Sequence, residues 1–146
     1  MDFEQLAFIE KWRRRAVRGV VVGLDATRGD VILTLRVGDL GPPLDLSARD
    51  ETGAVRKHRV TLGDRLFVAF RYRVSGATPG GGGAVPRAVR KGSEIEGELS
   101  AAGELAELDL NGVKILVEGD LAAFQPGDVV RATVADEGAA YVIPTR

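Results

Sequence analysis

The chain has 146 residues, 45% hydrophobic and 28% charged, which excludes a disordered chain and fits one ordinary domain or two small ones. It has no cysteine and a single histidine, His58. Disulfides, thiolate metal sites and histidine-rich metal clusters are therefore excluded, while a carboxylate-only Mg²⁺ or Ca²⁺ site stays formally open. The net charge of −1 conceals an asymmetry: residues 1–92 hold 17 Lys+Arg against 10 Asp+Glu, and residues 93–146 hold 3 against 11. A basic half joined to an acidic half fits either a polyanion-binding surface or two halves that dock by opposite charge.

Residues 1–15 (MDFEQLAFIEKWRRR) read as an amphipathic helix. Asp2 can cap it and Glu4 suits the positive end of its dipole. Phe3, Leu6, Phe8, Ile9 and Trp12 make an apolar face, and Lys11, Arg13, Arg14 and Arg15 gather at its end. Acids precede the apolar residues and bases follow them, the reverse of a secretory signal, so a cytoplasmic location is expected. No apolar run approaches the roughly 20 residues that span a bilayer, and no membrane partner is expected.

From residue 16 the pattern turns β. Residues 16–24 read as a strand whose Gly19 and Gly23 suggest a bend or bulge. Residues 25–30 form a turn, 31–37 a second strand, 38–43 a loop whose Pro42–Pro43 cannot donate to a ladder, and 44–48 a short third strand. Residues 55–62 (VRKHRVTL) concentrate Arg56, Lys57, His58 and Arg59. Residues 66–74 form a long alternating strand. Leu66, Val68, Phe70, Tyr72 and Val74 share one face; Arg65, Phe67, Ala69, Arg71 and Arg73 share the other. The second face sets an aromatic ring among arginines, the mixture that serves single-stranded nucleic acid through phosphate contacts and base stacking. Its bland counterpart is a ring covered by the N-terminal helix beside solvated arginines.

Residues 77–92 read as a flexible linker, since Gly80 to Gly83 follow Pro79; the alternative is a long hairpin tip within one larger barrel. Its end is basic, with Arg87, Arg90 and Lys91. Residues 93–146 read as five further strands, with Asn111–Gly112 as a hairpin turn. The two halves echo one another: residues 61–70 (TLGDRLFVAF) and 125–134 (QPGDVVRATV) each place a Gly-Asp turn before an alternating strand. The expected organisation is a helix (1–15), a basic barrel (16–76), a Gly-rich flexible linker (77–92) and a small acidic β-barrel domain (93–146).

Residues 18–74 resemble an S1-type RNA-binding domain, a barrel of the oligonucleotide-binding (OB) class. The matching stretches are Gly19 to Leu24, Gly29 to Leu35, Gly41 to the Leu46–Ser47 pair, and the Gly-Asp strand from Leu62 to Phe70. The resemblance implies an all-β fold of two small OB/S1-like barrels with the N-terminal helix appended, and RNA as ligand. The family's aromatic positions after the turn glycine are Val31 and Ile32 here, and its histidine two residues before the serine is Asp45. Charge and alternation instead nominate Arg28, Arg56, Lys57, His58, Arg59, Phe67, Arg71 and Arg73 as nucleic-acid-binding residues. Arg13, Arg14, Arg15 and Arg18 are further phosphate contacts. A second resemblance, to the Arg-x-x-x-Arg and Asp-x-Ser motifs of PilZ domains, rests on Arg14-Arg15-Ala16-Val17-Arg18 and Asp45-Leu46-Ser47. It implies a cyclic di-GMP ligand, although Asp50 stands where that family has glycine.

No Walker-type loop, Gly-x-Ser-x-Gly elbow or metal-binding histidine pair is present. The glycines of 80–83 are not followed by Lys-Ser/Thr, so they make no phosphate cradle. No catalytic residue, metal or cofactor is expected. The sequence therefore points to a non-catalytic protein that binds single-stranded RNA or DNA. The alternatives are a protein-interaction module, with a protein partner or second copy held by the N-terminal helix or acidic domain, and a PilZ-like sensor.

Overall fold

Alternating apolar residues need a partner surface on one side only, and among the described residues ten strands meet that need within a single hydrogen-bonded sheet. The computed structural model describes residues 3–4, 7, 10, 13, 16–27, 29–38, 42–81, 88–101, 106–110, 112–119 and 121–143. The strands are β1 (Val17–Thr27), β2 (Asp30–Val37), β3 (Leu44–Asp50), β4 (Arg65–Pro79), β5 (Ala88–Val89), β6 (Glu94–Ala101), β7 (Ala106–Leu110), β8 (Val113–Glu118), β9 (Val129–Val134) and β10 (Ala139–Val142). One helical turn, α1 (Ala54–Lys57), joins β3 to β4. The mostly β character expected from the sequence holds. Of the N-terminal segment, Phe3, Glu4, Ala7 and Glu10 are helical and Phe3 is exposed; the rest of that expected helix lies outside the described residues.

The pairings trace two closed circuits that share one strand. The first runs β1–β2–β3–β10–β4 and returns to β1. The second runs β4–β8–β7–β6–β9 and returns to β4. The 15 residues of β4 serve both: Arg65 to Val68 pair with β1, Val68 to Arg71 with β10, Arg71 to Arg73 with β8, and Val74 to Pro79 with β9. In each circuit a strand from the other half lies parallel to the third strand, β10 on β3 and β4 on β8.

The internal echo is structural. Gly63 N and Val21 N bond the carbonyls of Val21 and Asp64, each at 2.8 Å, and the Asp64 carboxylate accepts from Thr61 N at 2.9 Å. In the second half Gly127 N and Leu99 N bond the carbonyls of Leu99 and Asp128 at 2.7 and 2.8 Å, and Asp128 accepts from Gln125 N at 2.9 Å. The same local chemistry thus starts β4 and β9.

The segment expected to be a linker is ordered in its described parts. Residues 77–79 belong to β4, while Ala88 and Val89 pair in parallel with Asp45 and Leu46, and Val89 is fully buried. Residues 82–87 lie outside the described residues. Strand pairing also crosses the expected domain boundary, because β10 from the C-terminal half lies between β3 and β4. The stretch after β3 turns helical because Asp50 collects local donors: Thr52 N, Thr52 Oγ1 and Val55 N. Gly53 enters the turn at φ 71°, where glycine carries no Cβ penalty.

One continuous apolar cluster runs through both circuits, with Leu33, Leu35, Leu46, Tyr72, Leu99 and Ile115 essentially inaccessible. The core face expected for β4 is buried from Val68 through Val74, with Leu66 half-buried. The bulge expected in β1 lies between Val21 and Gly23. Gly19 is required for closure, since a Cβ there would sit 2.5 Å from the Arg36 carbonyl oxygen.

Tyr72 donates from its hydroxyl to the Ser47 carbonyl at 2.9 Å, and burial pushes its phenol well above the ordinary tyrosine range. A phenol with a raised folded-state pKa contributes fully below the unfolded value of about 10 and loses that contribution as pH rises through the folded value. Tyr72→Phe should cost about 1 kcal/mol at neutral pH. It should also lose less stability than the parent on moving to about pH 11. Urea denaturation at both pH values checks this.

Candidate functional site

The outer face of β4 carries the expected arginine and aromatic mixture, but it is occupied. Phe67 and Ala16 pack on a second apolar cluster of Ala69, Ala139, Tyr141 and Ile143. The Arg18 guanidinium lies 5.4 Å from the Phe67 ring centre, and that of Arg71 lies 5.6 Å from Tyr141. Arg18 thus lies over one face of the Phe67 ring, at a cation–π distance. Arg73 is also engaged, 3.6 Å from Glu118 and 4.0 Å from Asp136, both carboxylates of the acidic half. Arg13 pairs with Glu10 at 3.1 Å. Arg14, Arg15 and Arg28 lie outside the described residues.

The α1 turn differs. Arg56, Lys57, His58 and Arg59 are all exposed, and none makes an ion pair with a described residue. Arg59 adopts φ 51°, the left-handed conformation that ends the turn. Arg36, by contrast, makes a two-pronged bond to Asp45 at 2.9 and 3.1 Å. The Asp45 hydrogen bond is the chief cause that holds this guanidinium above its ordinary value. Arg49 pairs with Glu51 at 3.2 Å and Asp30 at 3.9 Å. Asp45, Ser47 and Asp50, the residues shared with the PilZ motif and its glycine position, are engaged by Arg36, Thr34 and the α1 turn respectively.

Beside the β2–β3 face runs a groove of about 470 Å³, within the size range of small-ligand sites. Gly23, Leu24 and Ile32 supply apolar surface, and the Thr34 and Ser47 hydroxyls lie 2.8 Å apart. Two cations, Arg90 and Lys91, and two carboxylates, Asp25 and Glu137, also line it. Arg90 and Lys91 are exposed and make no ion pair with a described residue. Their turn is held in place: Arg90 N bonds Ser93 Oγ, Ser93 N bonds the Arg90 carbonyl, and Gly92 N bonds the Val134 carbonyl. Lys91 and Glu137 also line a second cleft, of about 360 Å³, where the circuits meet; there Arg49, Arg71 and Arg73 face Glu51, Glu118 and Asp136. Sequence reasoning recognised Arg90 and Lys91 as a basic segment but did not join them to Ile32 or Glu137. Only the β3–β5 pairing and the β10 crossover bring those segments together.

No family model matches the chain, and no curated protein matches it. Among solved structures, the chain is similar to the cytoplasmic molybdate-binding protein ModG, in a crystal form with molybdate bound. The two share 16% identity at a TM-score of 0.52, over 90% of this chain and 96% of that one. Likeness at that identity extends to the β fold across nearly the whole length. Among the described residues no helix is long and apolar enough to cross a membrane, and no group of three or more His, Asp or Glu side chains is placed to hold a metal ion.

Proposed function

We propose that the protein is a non-catalytic cytoplasmic binder of single-stranded RNA or DNA, built from two OB-like barrels that exchange their fifth strands. The parallel third and fifth strands and the helical turn between the third and fourth strands support the OB-like reading of the first circuit, whose second and third strands form the surface on which such barrels take oligonucleotides. The single observation that carries the function is the distribution of unpaired cations. Arg36, Arg49, Arg73 and Arg131 each lie within 4.0 Å of a carboxylate, whereas Arg56, Lys57, Arg59, Arg90 and Lys91 make no ion pair with a described residue. These five flank β3, where α1 follows its end and β5 pairs with its start; Arg65 at the start of β4 and Lys114 in β8 also make no ion pair with a described residue but stand apart from them. The strand's phosphates would neutralise these five, and its bases would lie against Leu24 and Ile32.

ModG suggests a small-oxyanion reading, with the second cleft as its place. That cleft's four cations are matched by four carboxylates, as Arg90 and Lys91 of the groove are by Asp25 and Glu137; the excess positive charge lies with Arg56, Lys57 and Arg59 outside both, which favours an extended polyanion over a small oxyanion. The test is fluorescence anisotropy with mixed-sequence single strands at two salt concentrations. Five phosphate contacts predict a log–log salt slope near −3.5, at about 0.7 per contact. Changing Arg56, Lys57 and Arg59 together to Ala should reduce the slope by about 2 while leaving thermal unfolding unchanged, because all three side chains are exposed. No binding at low salt would overturn the reading.

A further inference from the structure

Glu137 occupies a distinctive place. It is exposed, makes no ion pair with a described residue, and lines the groove alongside Leu24, Ile32 and Lys91. It is also rigidly presented. Gly138 N bonds the Asp136 carboxylate at 3.0 Å, the Gly138 carbonyl accepts from Arg49 N at 3.2 Å, and Ala135 N bonds the Arg73 carbonyl at 2.8 Å. The turn that holds Glu137 is thus tied to β3 and β4 on both sides. The groove draws its apolar surface and Asp25 from the first half, its cations from the connecting segment and a second carboxylate, Glu137, from the second half, so it is complete only when both halves are folded together.

A carboxylate is an acceptor only. At the rim of a groove with an apolar floor and phosphate-binding cations, it selects for a ligand edge that donates. Resting on the nucleic-acid reading above, we propose that Glu137 is the residue that confers base preference. Its carboxylate accepts a hydrogen bond from the exocyclic amino group of a cytosine or adenine seated against Leu24 and Ile32, while Arg90 and Lys91 hold the adjoining phosphates. Cytosine offers an N4 amino donor where uracil offers the O4 acceptor. A carboxylate facing O4 leaves two acceptors opposed, so uracil is rejected although it is the same size. In the register of the repeat, which sets Gly63 opposite Gly127, the counterpart of Glu137 is Arg73, so this preference belongs to the first circuit alone.

The experiment compares oligocytidine and oligouridine of equal length on the full chain and on Glu137→Ala, with thermal unfolding of both proteins as a folding check. The parent should favour oligocytidine about tenfold, the discrimination that one well-placed hydrogen bond to a base edge confers. Glu137→Ala should abolish the preference through weaker oligocytidine binding. Equal affinity of the parent for the two oligomers would overturn this role for Glu137 while leaving nucleic-acid binding intact. So would a uniform tightening of both in Glu137→Ala, which would mark the carboxylate as a general repulsive charge. Failure of both oligomers to bind the parent at low salt would instead overturn the nucleic-acid reading itself.

Discussion

A chain that ends at Gly138 will not retain a cooperative unfolding transition. β10 has only four residues, yet it is the strand that closes the first circuit. Without it β3 and β4 have no common neighbour, and the backbone bonds from Glu51 N to the Ala140 carbonyl and from Ile143 N to the Phe67 carbonyl are lost. The truncation also removes Ala139, Ala140, Tyr141 and Ile143, all buried. Burying Tyr and Ile side chains contributes about 1.5–3 kcal/mol each, and two unclosed strand edges would expose backbone groups that are otherwise paired. The loss exceeds about 5 kcal/mol, the lower end of total domain stability. Because one apolar cluster runs through both circuits, the second circuit should lose its transition with the first. Circular dichroism against temperature reads the outcome. A truncated chain that melts within a few degrees of the parent would show that the first circuit closes without β10. The same argument bears on any fragment made of residues 1–92. Such a fragment carries the basic side chains but lacks the strand that closes their barrel, so loss of nucleic-acid binding by it would report unfolding rather than chemistry.

What the sequence disclosed is what local physics determines. The Gly-Asp turns at 63–64 and 127–128, the bulge at Gly23 and the core face from Val68 to Val74 all follow from dihedral preference and two-residue periodicity, and all are present. β8 runs from Val113 to Glu118, as the apolar pattern and the adjoining Asn111–Gly112 indicate. What stayed hidden is partner choice. Nothing in Ala139-Ala140-Tyr141-Val142 says that it lies beside β3 rather than within its own half, because closure of a circuit depends on every strand at once. The fate of Phe67 was hidden for the same reason. Its ring sits among arginines in the local pattern, but Tyr141 and Ile143 reach the same cluster only through the β10 crossover. The alternation ended at Val74 in the sequence, whereas the strand passes Gly76 at a register shift between Ser75 and Thr78 and continues to Pro79. The basic turn at 56–59 was legible as charge, and its lack of ion pairs with described carboxylates was not. Glu137 gave no local signal, because its significance comes from the segments it faces.

Two glycines that follow the repeated Gly-Asp strands should respond very differently to the same substitution. Gly76 has φ 64° with open space around the position of a Cβ, while Gly138 has φ 72° and a Cβ there would lie 2.5 Å from Tyr72 Cδ1 and 2.6 Å from Cε1. Gly76→Ala therefore meets only the left-handed backbone penalty, about 1 kcal/mol. Gly138→Ala meets that penalty and an aromatic ring that cannot retreat. Tyr72 is fully buried, its hydroxyl is bonded to Ser47, and its ring stacks on Phe70 with centres 6.2 Å apart. Overpacking of this kind adds about 1–3 kcal/mol, so Gly138→Ala should cost about 2–4 kcal/mol in all. Urea denaturation of the two variants under one set of conditions gives the comparison directly, and equal costs would show that the ring yields. The difference extends to the groove. Relief of the clash at residue 138 must move either the ring or the turn that presents Glu137. A folded Gly138→Ala should therefore lose preference for cytosine over uracil, while Gly76→Ala, which disturbs neither, keeps it.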